Sequence, residues 1–220
     1  MKSILTSLLC LLTFSISAQA LTQFSNLPTC YITTEGGADI TSKEVYIPGA
    51  ISIVSRDTTE KLSNEVIQIR GRGNSTWTSM PKKSYRIKFE KKRKLLGSPN
   101  EAKNWVLLAN YADKTMIRNA VAFEISRFMG MAFTPYSRFV DVVLNGDYIG
   151  TYQVTDQVEV NPGRVDVEKQ DSAMTTEPDI SGGYLLEVDG FASGEQVWFK
   201  TANGMPVTVK YPDDEDINDQ

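Results

Sequence analysis

The 220 residues contain no histidine and only two cysteines. Without imidazole, the chain cannot use a histidine general base, a His-bearing zinc site, or a Ser-His or Cys-His nucleophile pair. Any chemistry must rest on carboxylates, lysine, arginine, tyrosine or hydroxyls. Cys10 falls in an N-terminal leader, so Cys30 is left without an intrachain disulfide partner. Cys30 reads either as a reactive thiol or as a small buried residue in the short β-type run Cys30–Thr33, and that strand setting favours burial. There is also no internal repeat. Wholesale disorder is excluded, because 41% of the residues are hydrophobic and 10% aromatic.

The leader has three parts: a positive start at Lys2, an apolar stretch from Ile4 to Ile16, and the small-residue site Ala18-Gln19-Ala20. This is the arrangement of a secretory signal peptide. The apolar stretch is shorter than the roughly 18 to 20 residues a spanning helix needs. The expectation is an exported protein (periplasmic, cell-surface or secreted) with no membrane span after cleavage. Three segments follow: 1–20 as signal peptide, 21–64 as an N-terminal β segment, and 65–220 as the main domain.

Formal charge is only −4 overall, but it is divided along the chain. Residues 56–94 carry 12 Lys and Arg against 4 Asp and Glu, whereas residues 95–220 carry 9 against 20. A basic segment beside an acidic one suits a phosphate-bearing ligand held against carboxylates or their metal ions. The acidic part would repel a duplex, so no nucleic-acid partner is expected.

Strands are expected at Glu65–Arg70 and Lys83–Phe89, separated by the loop Gly71-Arg72-Gly73-Asn74-Ser75-Thr76-Trp77. Alternation puts Lys83 on the apolar face with Tyr85, Ile87 and Phe89. Trp105–Ala109 reads as a buried strand. Asp113 or Thr115 can cap a helix over 115–129 that stops at Gly130, with Ile117, Val121, Ile125 and Phe128 on one stripe facing the core. Asn145-Gly146 signals a hairpin between Phe139–Leu144 and Tyr148–Val154. Asn203-Gly204 signals another hairpin, residues 168–182 read as a polar mobile loop, and Pro212–Gln220 reads as an acidic stretch without structure. The fold class expected is α+β, a mostly antiparallel sheet with one principal helix.

Glu124 falls in the middle of the apolar stripe, and a buried carboxylate needs a cation. Lys83, or less directly Lys82, can supply it. The competing reading pairs Glu124 with Arg118 or Arg127 and leaves Lys83 as a strand-end charge. The run Arg70 to Ser75 can bring backbone N–H groups and two guanidiniums to phosphates, or it can be a bare glycine turn. Glu187 and Asp189, two apart on an expected strand, are either a metal-binding or substrate-orienting pair or a solvated face.

Four blocks together resemble the CotH family, named for a spore coat protein: Arg70–Trp77, Pro81–Phe89, Trp105–Asn119 and Val143–Tyr152. The resemblance spans roughly residues 65–210. It implies an atypical protein kinase whose fold resembles the nucleotide-binding side of a kinase. Such a kinase would use ATP and a divalent metal (Mg or Mn) to phosphorylate Ser or Thr of a surface or secreted protein. On this basis Arg70, Arg72, Gly73, Asn74, Ser75, Lys82 and Lys83 are candidate phosphate-binding residues, with Glu124 holding a lysine. The family's catalytic and metal-binding aspartates are expected beyond Gln220, so the chain reads as an N-terminal portion that is inactive by itself. Where the family often has Glu, Asp156 stands here. The alternative function is a non-catalytic binding or adhesion module on the same fold.

Overall fold

The computed structural model describes residues 21–170, 172–213 and 217. The leader and most of the acidic C-terminal stretch lie outside the described residues. The strands and α-helices among the described residues are β1 (Thr29–Thr34), β2 (Ile47–Val54), β3 (Leu62–Arg72), α1 (Ser75–Ser79), β4 (Ser84–Arg93), β5 (Ala102–Leu108), α2 (Arg118–Phe128), β6 (Ser137–Leu144), β7 (Asp147–Asp156), β8 (Leu185–Val188), β9 (Trp198–Lys200) and β10 (Pro206–Tyr211).

Strands of period two need somewhere to put one face, and here they roll into a closed barrel in the order β1-β2-β3-β4-β5-β7-β6. All pairings are antiparallel except the seam, where β6 returns beside β1 in parallel register, Thr29 opposite Asp141 and Ile32 opposite Leu144. The expected α+β class with mostly antiparallel strands is present. The sheet is closed, however, and is not distinctly the nucleotide-binding lobe of a kinase. Closure removes the unpaired edges that an open sheet would expose. Segment 21–64 supplies two of the staves, β1 and β2.

Inward positions fill the barrel: Cys30, Ile32, Ile51, Ile53, Ile67, Ile69, Ile87, Phe89, Trp105, Leu107, Val140, Val142, Tyr152 and Val154 are all almost completely buried. Burying such aliphatic and aromatic side chains contributes about 1.5–3 kcal/mol each. Cys30 belongs to this core, and burial pushes its thiol pKa well above the ordinary value, which makes it an inert packing residue. On β3 the next inward position is Gly71, where a Cβ would overlap the indole ring of Trp77. The glycine thus seats a tryptophan from α1 against the core.

The Asn145-Gly146 hairpin forms as expected, with both residues at positive φ (52° and 92°), the requirement of the tight β-hairpin turn. Asn145 also closes the seam: its Oδ1 accepts from the Thr34 backbone N–H at 2.9 Å, and its Nδ2 donates to the Thr34 hydroxyl at 2.9 Å. The second expected hairpin, at Asn203-Gly204, joins β9 to β10 within a separate three-stranded sheet of order β8-β10-β9.

The principal helix departs from expectation. It spans Arg118–Phe128, and none of its residues is buried. The stripe assigned to the core faces outward: Ile117, Val121, Ile125 and Phe128 are 50%, 49%, 54% and 93% exposed. The opposite face meets the rest of the protein through polar groups. Asn119 Nδ2 donates to Asn110 Oδ1 at 2.9 Å, and the Ser126 and Thr134 hydroxyls bond at 2.5 Å. Phe123 turns into a cleft described below. The helical period was legible, but the direction of its apolar face was not.

Candidate phosphate-binding site

The outer face of β3 and β4 carries the basic segment. Inward residues on β3 are Ile67, Ile69 and Gly71, so Arg70 and Arg72 point outward. On β4, inward Tyr85, Ile87 and Phe89 leave Arg86 outward, directly opposite Arg70 in the ladder. Three guanidiniums therefore share one patch. None forms an ion pair among the described residues, and the Nε atoms of Arg70 and Arg86 are buried without a hydrogen-bond partner. The nearest acid on β3, Glu65, is already held by Arg93 at 2.8 Å. The pKa of Arg72 is lowered by burial and then by the like charges of Arg86 and Arg70. Arg70 also lies over the ring of Tyr46, 5.0 Å from its centroid.

Arg72 reaches two hollows. The larger, about 610 Å³, lies between β5 and β7 of the barrel, α2, and the small sheet. Its walls are largely apolar (Val106, Leu108, Phe123, Leu186 and Val188), with Arg72 and Lys210 as cations. The smaller, about 240 Å³, brings Arg72 beside Lys82, Ser84, Asn110, Asp113 and Asn119. Lys82 donates to the Thr151 carbonyl and sits 4.2 Å from the Tyr152 ring centroid, where burial lowers its pKa. Asp113 accepts from the Arg118 backbone N–H at 2.9 Å, the first amide of α2, although the N-cap position itself is Ile117 and neither Asp113 nor Thr115 occupies it. That hydrogen bond, followed by the one from Thr115, holds the Asp113 carboxyl below the usual carboxylate range.

The remaining candidates are dispersed. The proposed Lys83–Glu124 ion pair does not exist. Lys83 Nζ donates to the Trp77 carbonyl at 2.5 Å at the end of α1, while Glu124, its side chain 75% exposed, pairs with Arg127 at 2.5 Å. Lys82 does not take its place beside Glu124 either. Because the apolar stripe faces out, Glu124 was never a buried charge and needs no lysine. Gly73, at φ 102°, turns the chain into α1, and a Cβ on it would meet the Thr76 hydroxyl. Asn74 precedes α1 and accepts from Lys43 Nζ at 3.2 Å, and Ser75 is the first residue of that five-residue helix. The glycines therefore serve the Trp77 turn rather than an open cradle.

Asp156 is 9% exposed and sits at one end of the larger cleft. It is occupied structurally: Oδ1 accepts from Arg164 Nε at 3.1 Å, and Oδ2 accepts from the Tyr136 backbone N–H at 2.7 Å. Arg164, 3% exposed, also donates to Glu159 Oε1 and to the Asn104 carbonyl, each at 2.7 Å, and stacks on Trp105. Glu187 is exposed and faces Lys210 at 3.9 Å, and Asp189 accepts from the Phe191 backbone N–H at 3.0 Å. Among the described residues no three His, Cys, Asp or Glu side chains converge on one point.

A family model described as CotH kinase protein matches residues 69–219. The chain belongs to the CotH family. The match begins on β3 one residue before Arg70 and covers the arginine patch, both hollows and the small sheet. No curated protein matches this CotH chain. No described helix is long and apolar enough to cross a membrane.

Proposed function

We propose that this CotH-family chain binds the phosphates of ATP beside Arg72, as part of an exported protein kinase that modifies Ser or Thr of a surface or secreted protein. The observation that carries the proposal is the position of Arg72. It is a guanidinium with no carboxylate partner among the described residues, at the junction of the larger cleft and the smaller hollow that also holds Lys82. A slot with apolar walls that reaches the unpaired Arg72, with Lys82 beyond it, matches a base joined to a phosphate chain; the other cation of the cleft, Lys210, is paired with Glu187 and Glu195. Lys82 adds a second positive charge and retains donors beyond the one given to Thr151.

The proposal assigns phosphate binding to this chain and no catalytic base to any described carboxylate. Phosphoryl transfer needs a carboxylate aligned with the acceptor hydroxyl. Asp156 is held by Arg164 and Tyr136, and Asp113 by the Arg118 backbone N–H and the Thr115 hydroxyl. No step is routed through a metal ion.

Calorimetric titration with ATP tests the reading. Binding is expected, with Arg72→Gln weakening it about tenfold, the scale of one lost charge-assisted contact. Absence of ATP binding by the wild-type chain would overturn the proposal in favour of a non-catalytic binding module.

A further inference from the structure

Arg86 was not a candidate in the sequence, because its relation to Arg70 exists only once the register of β3 and β4 is known. The two are direct partners across the ladder, and Arg72 lies two residues further along the same face of β3. Neighbouring strands are about 4.8 Å apart, and same-face residues on one strand are about 6.6 Å apart. Three guanidiniums at that spacing repel one another, and none of them forms an ion pair among the described residues: Glu65 on β3 is committed to Arg93, and Glu90 on β4 pairs with none of the three. Arg70 lies over the Tyr46 ring, 5.0 Å from its centroid, and an aromatic ring takes up none of the guanidinium's hydrogen-bond donors in an ion pair. The Nε donors of Arg70 and Arg86 are buried polar groups with no hydrogen-bond partner among the described residues.

We propose that Arg70, Arg72 and Arg86 together form a binding site for a linear oligophosphate, running along the outer face of the barrel from the cleft at Arg72. The patch is longer than one phosphate, and each guanidinium fork matches two phosphate oxygens. The lowered pKa of Arg72, caused by burial and by its two arginine neighbours, agrees with a cluster built to receive negative charge. The inference deepens the nucleotide reading, on which its Arg72 end rests. The same phosphoanhydride chemistry can come from a nucleotide tail or from free inorganic oligophosphate.

The purified chain should be titrated with inorganic tripolyphosphate and with ATP at low ionic strength, alongside Arg86→Gln and the control Lys88→Gln. Lys88 lies one same-face step from Arg86 and pairs across the ladder with Gln68. Tripolyphosphate is expected to bind and to raise the melting temperature of the wild type. Arg86→Gln should weaken this binding at least tenfold and Lys88→Gln less than threefold. In buffer without phosphate or sulfate, Arg86→Gln should melt no lower than the wild type, because removing one charge relieves repulsion. A merely structural arginine would show the reverse. Tripolyphosphate affinity unchanged in Arg86→Gln, or absent in the wild type, overturns the site. Tripolyphosphate binding without ATP binding keeps the site and removes the nucleotide reading. ATP binding that survives both Arg86→Gln and Arg70→Gln keeps the nucleotide reading and removes this site.

Discussion

The inside of the barrel and the outside of α2 are both apolar, yet only one is covered. Trp105 and Ile69 are completely buried, whereas Phe128 is 93% exposed and Val121, Ile125 and Met129 are 49–68% exposed. In the barrel, seven strands of one chain cover each other, so alternation alone decides which side chains meet. The helix stripe has the same kind of periodicity without an opposing surface among the described residues. Local pattern thus specifies which residues share a face. Whether that face is buried depends on what else lies against it.

The largest expected effect tests this contrast directly. Trp105→Ala removes the biggest fully buried side chain and should cost about 3–5 kcal/mol in urea unfolding, through lost burial and the cavity left behind. Phe128→Ser on the open stripe should change stability by no more than about 0.5 kcal/mol. Comparable losses for the two would mean that the stripe is covered in solution and that the contrast fails.

Arg164 gives the next largest effect and extends the comparison to buried charge. Its side chain is 1% exposed and bridges Asp156 at 3.0 Å and Glu159 at 2.7 Å. Removing the cation strands a nearly buried carboxylate on Asp156, which typically costs about 3–5 kcal/mol. Arg164→Ala should therefore unfold at markedly lower urea concentration, and Asp156→Asn combined with it should recover part of the loss. If the double variant is no better than the single one, Arg164 acts by packing on Trp105 rather than by neutralising Asp156.

These residues also mark how far the sequence could be read. The strands at 65–70, 83–89 and 139–154, the Asn145-Gly146 turn and burial of Cys30 all follow from local signals, and all are present, whereas the helix expected to start at a cap on Asp113 or Thr115 begins three residues later, behind Ile117. Arg70 and Arg72 were visible as a basic loop, but Arg86 required the β3–β4 register and Arg164 required contacts across 60 residues to Asn104. Neither relation has a sequence signature. The seam between β1 and β6 was equally hidden, because parallel closure joins segments more than 100 residues apart. The Lys83–Glu124 ion pair failed for a related reason: it was inferred from a buried stripe, and the burial was an assumption about tertiary context.

Glu124 supplies the smallest effect and the sharpest discrimination. As a carboxylate in a covered stripe, it would lose several kcal/mol on truncation and would take Lys83 with it. As the structure places it, Glu124 is an exposed partner of Arg127 three residues along the same helix. Pairs of that kind contribute about 0.2–0.5 kcal/mol and weaken with salt. Arg127 also keeps a bond of 3.1 Å to the Pro135 carbonyl, so the loss of one partner leaves the guanidinium anchored. Glu124→Ala should accordingly shift the unfolding free energy by about 0.5 kcal/mol at most, less at 0.5 M salt than at 0.05 M, and should leave ATP affinity unchanged. A loss above about 2 kcal/mol, or an ATP affinity that falls with it, would mean that the helix turns its stripe inward when the protein is in solution.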